Sequence, residues 1–452
     1  MIRRTATTPT GRLERMIGTL LLFESAMYSA VTPVLPHYAR TLHASKPAIG
    51  LLAAGYPAGL IPGALIGGWL AARHGVRRTT LSGLVGFGLA IAGFGIASEL
   101  LTLDLLRVVQ GVFCGLIWGG GLTWVIAAVV PERRGAAIGR AIGAATFGTL
   151  LGPLLGTLAV TVGTVVVFCA VGAVSIALAG WARLHADPGD CPPTGSVAGQ
   201  LRDALRAGGF GLGVWLIGLE AMFFGAANVL LPLRMAHFGA PGWEIGAAFV
   251  AASALSTVLA PFVGRSVDRR GPAATSMVGL GTGAPLVAAL VLPHSAPLLA
   301  LLTVVALGAP LTAGMIPAVS LMTEATERAG VALLLATTAV NLAYAVGETV
   351  GAPAAAGISQ ATGDALPLLI VSGLLVATLP LMGRHARAQR RAALHTARAA
   401  SEASQHGAGG GGRRRVDLAD RPSPVRLGAE EPSGSGDAAG ADRGRPVAAK
   451  RP

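Results

Sequence analysis

FESAMYSAVTPVLP at residues 23–36 and LEAMFFGAANVLLP at residues 219–232 are two copies of one segment. At a single offset of 196 positions (219 less 23), Glu24 falls on Glu220, Tyr28 on Phe224 and Pro36 on Pro232. The same offset carries Gly68 onto Gly264, Arg73 onto Arg269 and Gly75 onto Gly271. An offset of 195 then carries Glu132-Arg133 onto Glu327-Arg328, and Gly135, Gly152 and Gly156 onto Gly330, Gly347 and Gly351. Chance does not hold one register over positions so far apart, so the chain is two related halves.

Each half is built for a bilayer. The chain has 452 residues, 52% apolar and 13% charged, with mean hydropathy +0.63. A soluble chain carries about 25% charged residues. A spanning helix needs about 20 predominantly apolar residues. Such runs lie near 16–37, 48–72, 79–98, 103–127, 136–158 and 162–184, and again near 210–233, 244–264, 273–293, 297–321, 330–355 and 364–383. The runs are solidly apolar, whereas barrel strands alternate in polarity over about ten residues. The expectation is an all-α membrane protein of twelve spans in two six-helix halves, 1–184 and 210–383. A polar loop at 185–209 joins them. The segment 384–452, rich in Gly, Ala, Pro and charge, reads as a disordered basic cytoplasmic tail.

Charge sets the orientation. Outside the tail, 17 of 21 Arg/Lys fall in the N-terminal arm or in loops 2–3, 4–5, 6–7, 8–9 and 10–11. Arg40, Lys46 and Arg234 lie in the opposite loops, and Arg107 lies inside a span. By the positive-inside rule both termini are expected in the cytoplasm; the chain is separately expected in the cell membrane, as a monomer. The first span follows Arg12 and Arg15 with no clear cleavage site, so it reads as retained.

Several classes of function are excluded or weakened. The tail holds +7 of the +13 net charge, and no basic patch interleaved with aromatics occurs, so nucleic acid is not an expected partner. The two lysines, Lys46 and Lys450, lie in no Gly-rich phosphate-binding context. Cys114, Cys169 and Cys191 make neither a disulfide framework nor a metal cluster, and no cofactor is implied. Gly279-x-Gly281-x-x-Ala284 matches a dinucleotide fingerprint in letters, but it lies in an apolar span with no preceding strand. No nucleophile–base pair is apparent, so enzyme activity is not expected.

GGWLAARHGVRR (67–78) and GRSVDRRG (264–271) resemble the loop 2–3 and 8–9 signature of the major facilitator superfamily. RVVQGVFCG (107–115) resembles its fourth-span Arg-x-x-Gln-Gly motif. GTLLGPLLG (148–156) resembles the fifth-span Gly-Pro motif of its drug–proton antiporter group, and FESAMYSAVTPVLPHYA (23–39) the first span of twelve-span drug exporters. The resemblance covers about 12–384. It implies a substrate site between the halves near mid-membrane, with access switched by rocking one half on the other. The function it implies is proton-coupled export of small amphipathic compounds. The rivals are a facilitator or importer on the same fold, or a non-transporting receptor or scaffold.

Charges within a bilayer cost about 2.5–3.5 kcal/mol each at a helix centre, so those present point to sites. Glu24 lies roughly 12 Å into span 1 at 1.5 Å per residue, Glu220 is its counterpart in span 7, and Glu348 replaces the repeat-equivalent of Pro153 in span 11. A carboxylate enclosed in a low-dielectric cavity can load and release a proton near neutral pH, as antiport requires. Glu24 and Glu220 are expected to face the cavity. The alternative for each is a structural carboxylate bonded to a neighbouring helix. Arg107 is expected to bias a nearby carboxylate, against the alternative of pairing with Asp104 near the headgroups. Glu348 reads equally as a second proton site or an interface plug.

Tyr28, Tyr56, Trp118, Phe224 and Tyr344 are expected as apolar walls, with Gln110, Asn228 and Asn341 as polar contacts. Gly55, Gly59, Gly63 and Gly67 in span 2 and Gly148, Gly152 and Gly156 in span 5 each form a smooth helix face. The resemblance places span 2 against span 11 and span 5 against span 8. Those glycines, with Pro153, Gly347 and Gly351, are therefore expected at the moving interface. In the loops, Gly68, Arg73, Gly75, Arg77 and Arg78, and Gly264, Asp268, Arg269 and Gly271, are the expected gating residues. The family's first acidic position is Ala72 here and its basic one Val76, so the latch is expected to rest on Asp268.

Overall fold

The computed structural model describes residues 9–185, 208–328 and 333–409, and most of the central loop, Gly330 and residues 410–452 lie outside them. All its regular elements are helices. Span 1 comprises Pro9–Ala30, a 3-10 turn Thr32–Val34, and Leu35–Thr41. Pro33 and Pro36 lack the N–H that would continue the helix, which breaks it there. Spans 2 to 6 are Lys46–His74, Val76–Ile96, Leu100–Ala128, Pro131–Val162 and Thr164–His185. Spans 7 to 9 are Phe210–His237, Gly242–Arg270 and Pro272–Ala289. Span 10 is in two pieces, Ala296–Gly308 and Pro310–Arg328, and spans 11 and 12 are Leu333–Thr362 and Ala365–Gly409. Ten of these spans are long and apolar enough to cross a membrane by themselves, and spans 9 and 11 are diluted by Gly, Thr and Pro.

Three features differ from the sequence expectation. The apolar run of 297–321 contains a break at Ala309, imposed by Pro310. Span 12 continues beyond 383 to Gly409, because 384–403 is rich in Ala and Arg, good helix formers. The bundle proper ends at Arg391. Third, spans 2 and 3 are separated by Gly75 alone, and spans 8 and 9 by Gly271 alone. These two repeat-related glycines have φ of 86° and 82°, a conformation that side chains disfavour. Both signature loops are therefore single-residue reversals, and their shared glycine is first a backbone requirement.

Two apolar cores follow the duplication. One gathers buried residues from Met16 to Ala182 together with Val229, Ala352 and Ala356 of the other half, and the other gathers residues from Phe210 to Met382. The glycine faces build these cores and not, as the resemblance suggested, the contact between halves. A Cβ on Gly59 or Gly63 would meet the backbone of Val108 or Val112 in span 4. Gly148, Gly152 and Gly156 pack in the same way on Leu22, Ser29 and Ala30 of span 1. Gly347 and Gly351 repeat that second seam on Gly218 and Met222 of span 7. Spacing shows that a backbone approaches closely but not which one, and the partner is within the same half.

Spans 2 and 11 and spans 5 and 8 do pack across the halves. Their close approach falls to another repeat pair. A Cβ on Gly50 would stand 3.0 Å from Ala352 O and 3.0 Å from Pro353 Cα, and one on Gly246 would stand 3.2 Å from Pro153 O. Thr32 and Asn228, also repeat equivalents, meet each other, with Thr32 Oγ1 donating to Asn228 Oδ1 at 3.4 Å. Beyond them, at the end opposite the N-terminus, Lys46 Nζ pairs with Asp364 Oδ1 at 2.5 Å and donates to Ser359 Oγ at 2.9 Å. The halves are thus joined from mid-bundle to that end.

Candidate functional site

Glu24 and Tyr28 stand one helical turn apart on span 1, so they share a face. Glu24, 2% exposed, accepts from the Tyr56 hydroxyl of span 2, from Trp118 Nε1 of span 4 at 2.7 Å and from Ser25 Oγ at 3.3 Å. The Tyr56 ring stacks with Tyr28 at 5.1 Å between centroids, and the Arg107 guanidinium sits over it at 4.7 Å. A cation over the ring face is attracted by the π-system and polarises the phenol towards donation. Arg107 is therefore connected to Glu24 through Tyr56. It does not pair with Asp104, whose Oδ1 has no hydrogen-bond partner; its Nη1 donates to Gln110 Oε1 at 3.0 Å.

Tyr28 carries the arrangement into the other half. Its hydroxyl donates to Glu348 Oε1 of span 11 at 2.5 Å, beside Tyr344 one turn away on the same helix. Tyr344 also stacks with Phe224 at 6.2 Å. Two buried carboxylates, one from each half, are thus connected through two stacked tyrosines.

Two adjoining cavities, of about 390 and 310 Å³, share the walls of Tyr28, Thr146, Thr149, Met315 and Tyr344. The first adds Phe224 and Asn228, and the second adds Glu24, Tyr56, Trp118, Asn341 and Glu348. Two expectations are corrected. Glu220 lines neither cavity; buried within its own half, its carboxylate packs against Gly314 of span 10. Gln110 is also off the walls, held behind Tyr56 by Arg107 and by Ala90 O at 3.3 Å. Duplication put Glu220 in the register of Glu24, but span 10 carries glycine at the contact and gives the carboxylate a recess inside the half.

In the signature loops, Gly68 and Gly264 face open space, Arg73 stacks on Trp69 at 5.4 Å, and Arg77 donates to Arg183 O. Arg78, Asp268 and Arg269 are exposed. Sequence reasoning missed the Lys46–Asp364 pair and the hydroxyls of Ser29, Thr146, Thr149, Ser256 and Thr312. The first had a signal, since Lys46 is the one lysine outside the tail. The hydroxyls had none, because Ser and Thr are ordinary in apolar helices.

A sequence profile described as Major Facilitator Superfamily matches residues 17–348. A relative described as the MFS-type transporter ppzB, from Metarhizium majus (strain ARSEF 297), is 29% identical over 124 residues. That match spans 26% of this chain and 27% of the relative, so the chain covers only about a quarter of that protein's length. Among solved structures, a bacterial homologue of the human lysosomal transporter Spinster, inward-facing and unoccupied, superposes with TM-score 0.65 at 16% identity, over 84% of this chain and 97% of that one. The POT family transporter PepTSo gives TM-score 0.65 at 13% identity, over 84% and 98%, and the nucleoside transporter NupG gives 0.61 at 12%, over 82% and 98%. At such identities these likenesses establish the fold. With the profile match over most of the chain, they lead to one assignment: the chain belongs to the Major Facilitator Superfamily, as a multi-pass membrane transporter.

Proposed function

We propose that the protein is a monomeric proton antiporter of the cell membrane, with both termini cytoplasmic, that exports small amphipathic compounds by alternating access. The observation that carries this reading is the Tyr28–Glu348 hydrogen bond in the cavity wall, which ties a titratable group to the contact between halves. As carboxylates, Glu24 and Glu348 each accept from donors of the N-terminal half. Protonation removes the charge those donors answer and weakens the bonds, since hydrogen bonds to ionised groups are roughly twice as strong as neutral ones. An arriving ammonium group competes for the same lone pairs. Proton and substrate therefore use one set of acceptors at different times, which is what exchange requires.

Purified protein in sealed liposomes with an imposed pH gradient tests the reading, with a cationic dye as substrate. Gradient-driven dye movement is the expected result. Movement indifferent to the gradient would identify a facilitator instead.

The Lys46–Asp364 pair is expected to act as the outer gate in this cycle, at the opposite face from the latch expected at Asp268. Side-chain exposures of 35% and 23% put its strength at about 1 kcal/mol or less. Lys46→Asp places two carboxylates together and is expected to shift the population a few-fold towards outward opening. Spin labels on the loops after spans 1 and 11 would report the separation. The swap Lys46→Asp with Asp364→Lys should restore it, and no change in either variant would remove the pair from gating.

A further inference from the structure

Most of the hydroxyls on the wall of the larger cavity have already committed their protons. Thr146 Oγ1 donates to Ile142 O at 3.0 Å and Thr149 Oγ1 to Thr146 O at 2.7 Å. Thr312 Oγ1 donates to Gly308 O at 2.7 Å, which leaves Ser256 as the donor in its 2.6 Å contact with Thr312 Oγ1. Ser29 Oγ lies 3.0 Å from Thr149 O and 3.1 Å from Ser25 O. A hydroxyl has one proton and two lone pairs, so each of these oxygens has only acceptor capacity left for a guest. Tyr28 likewise gives its proton to Glu348. Among the described residues no Lys, Arg or His side chain lines either cavity, and Arg107 stands behind the Tyr56 ring. The donors left among the described residues are chiefly the amides of Asn228 and Asn341 and the hydroxyls of Ser253 and Tyr344.

A wall that accepts much and donates little is complementary to a guest that donates. We infer that the cavity selects protonated primary and secondary amines, above all those bearing further O–H or N–H groups, over quaternary ammonium ions of equal charge and similar body. This rests on the reading of the cavity as the substrate site. Charge does not make the distinction. A quaternary ammonium answers Glu24 and Glu348 electrostatically and stacks on Tyr28, Phe224 and Tyr344. It offers nothing to the hydroxyl oxygens, which lose water without a replacement partner.

The test compares dansylcadaverine, which carries one primary ammonium, with its terminal N,N,N-trimethyl derivative. Binding to the purified full chain in detergent is followed by fluorescence polarisation. The trimethyl compound is expected to bind about ten-fold more weakly, the loss of one hydrogen bond to a charged group. The double variant Thr149→Val with Thr312→Val keeps the shape of the wall and removes two acceptors. It should bring the ratio towards one by weakening the ammonium form alone. Equal affinity of wild type for both compounds overturns the inference, as does no binding of the ammonium form to a monodisperse preparation. Bound amine that the proton gradient fails to move in liposomes overturns the coupling and leaves the selectivity standing.

Discussion

Glu24→Gln is expected to abolish gradient-driven transport while leaving downhill exchange of substrate measurable. The replacement keeps the shape of the side chain and removes its ability to exchange a proton. It also turns one acceptor oxygen into a donor in a site where Tyr56, Trp118 and Ser25 all donate. One of those donors is left facing another, at a cost of about 1–3 kcal/mol for a buried unsatisfied group. The accumulation ratio in liposomes should fall by at least about ten-fold, each 1.4 kcal/mol being a factor of ten. Exchange of labelled for unlabelled substrate without a gradient does not need the proton and should survive. Full accumulation by the variant would remove Glu24 from coupling. Glu220→Gln, by contrast, alters a group outside the cavity and should leave accumulation largely intact.

The second large effect concerns two adjacent glycines. Gly67→Leu is expected to prevent folding, whereas Gly68→Leu should give a monodisperse protein. A Cβ on Gly67 would lie 2.8 Å from Gly115 O and 3.1 Å from Leu116 Cα, both backbone atoms that cannot rotate away. The seam between spans 2 and 4 would have to part along its length. Overpacking a core costs about 1–3 kcal/mol even where side chains can move aside. At Gly68 nothing lies within 4 Å of the same added atom. Size-exclusion profiles of fluorescently tagged variants read the difference directly. Equal behaviour of the two would show that the seam tolerates separation.

Much of this architecture was legible in the sequence because duplication writes each half twice. The twelve spans, their grouping and the walls formed by Tyr28, Tyr56, Trp118 and Tyr344 follow from apolar length and from rare residues in apolar runs. What escaped has physical causes. The glycine seams report close approach by the absence of a side chain, and an absence carries no address for the partner. Glu24 and Glu220 share a register, yet their fates differ through residues elsewhere: Tyr56 and Trp118 meet the first, Gly314 the second. The break at Pro310 has no counterpart in span 4, which holds Cys114 at the equivalent place. The Lys46–Asp364 pair joins residues 318 positions apart, beyond the reach of any local pattern.

Thr32 and Asn228 occupy the same position in the two halves and touch each other. Residues related by a two-fold operation can meet only on its axis. A lever has one point that does not travel, and for two bodies tilting symmetrically that point is on this line. Every other contact between the halves must lengthen or shorten as they tilt, in proportion to its distance from the fulcrum. The Lys46–Asp364 pair, far along one arm, feels the longest stroke. Tyr28–Glu348, one turn from the fulcrum, moves least, and it still responds because a hydrogen bond fails over a fraction of an ångström. In the proposed cycle the site is geared low: a proton's small displacement at the centre is set against a wide opening at the rim.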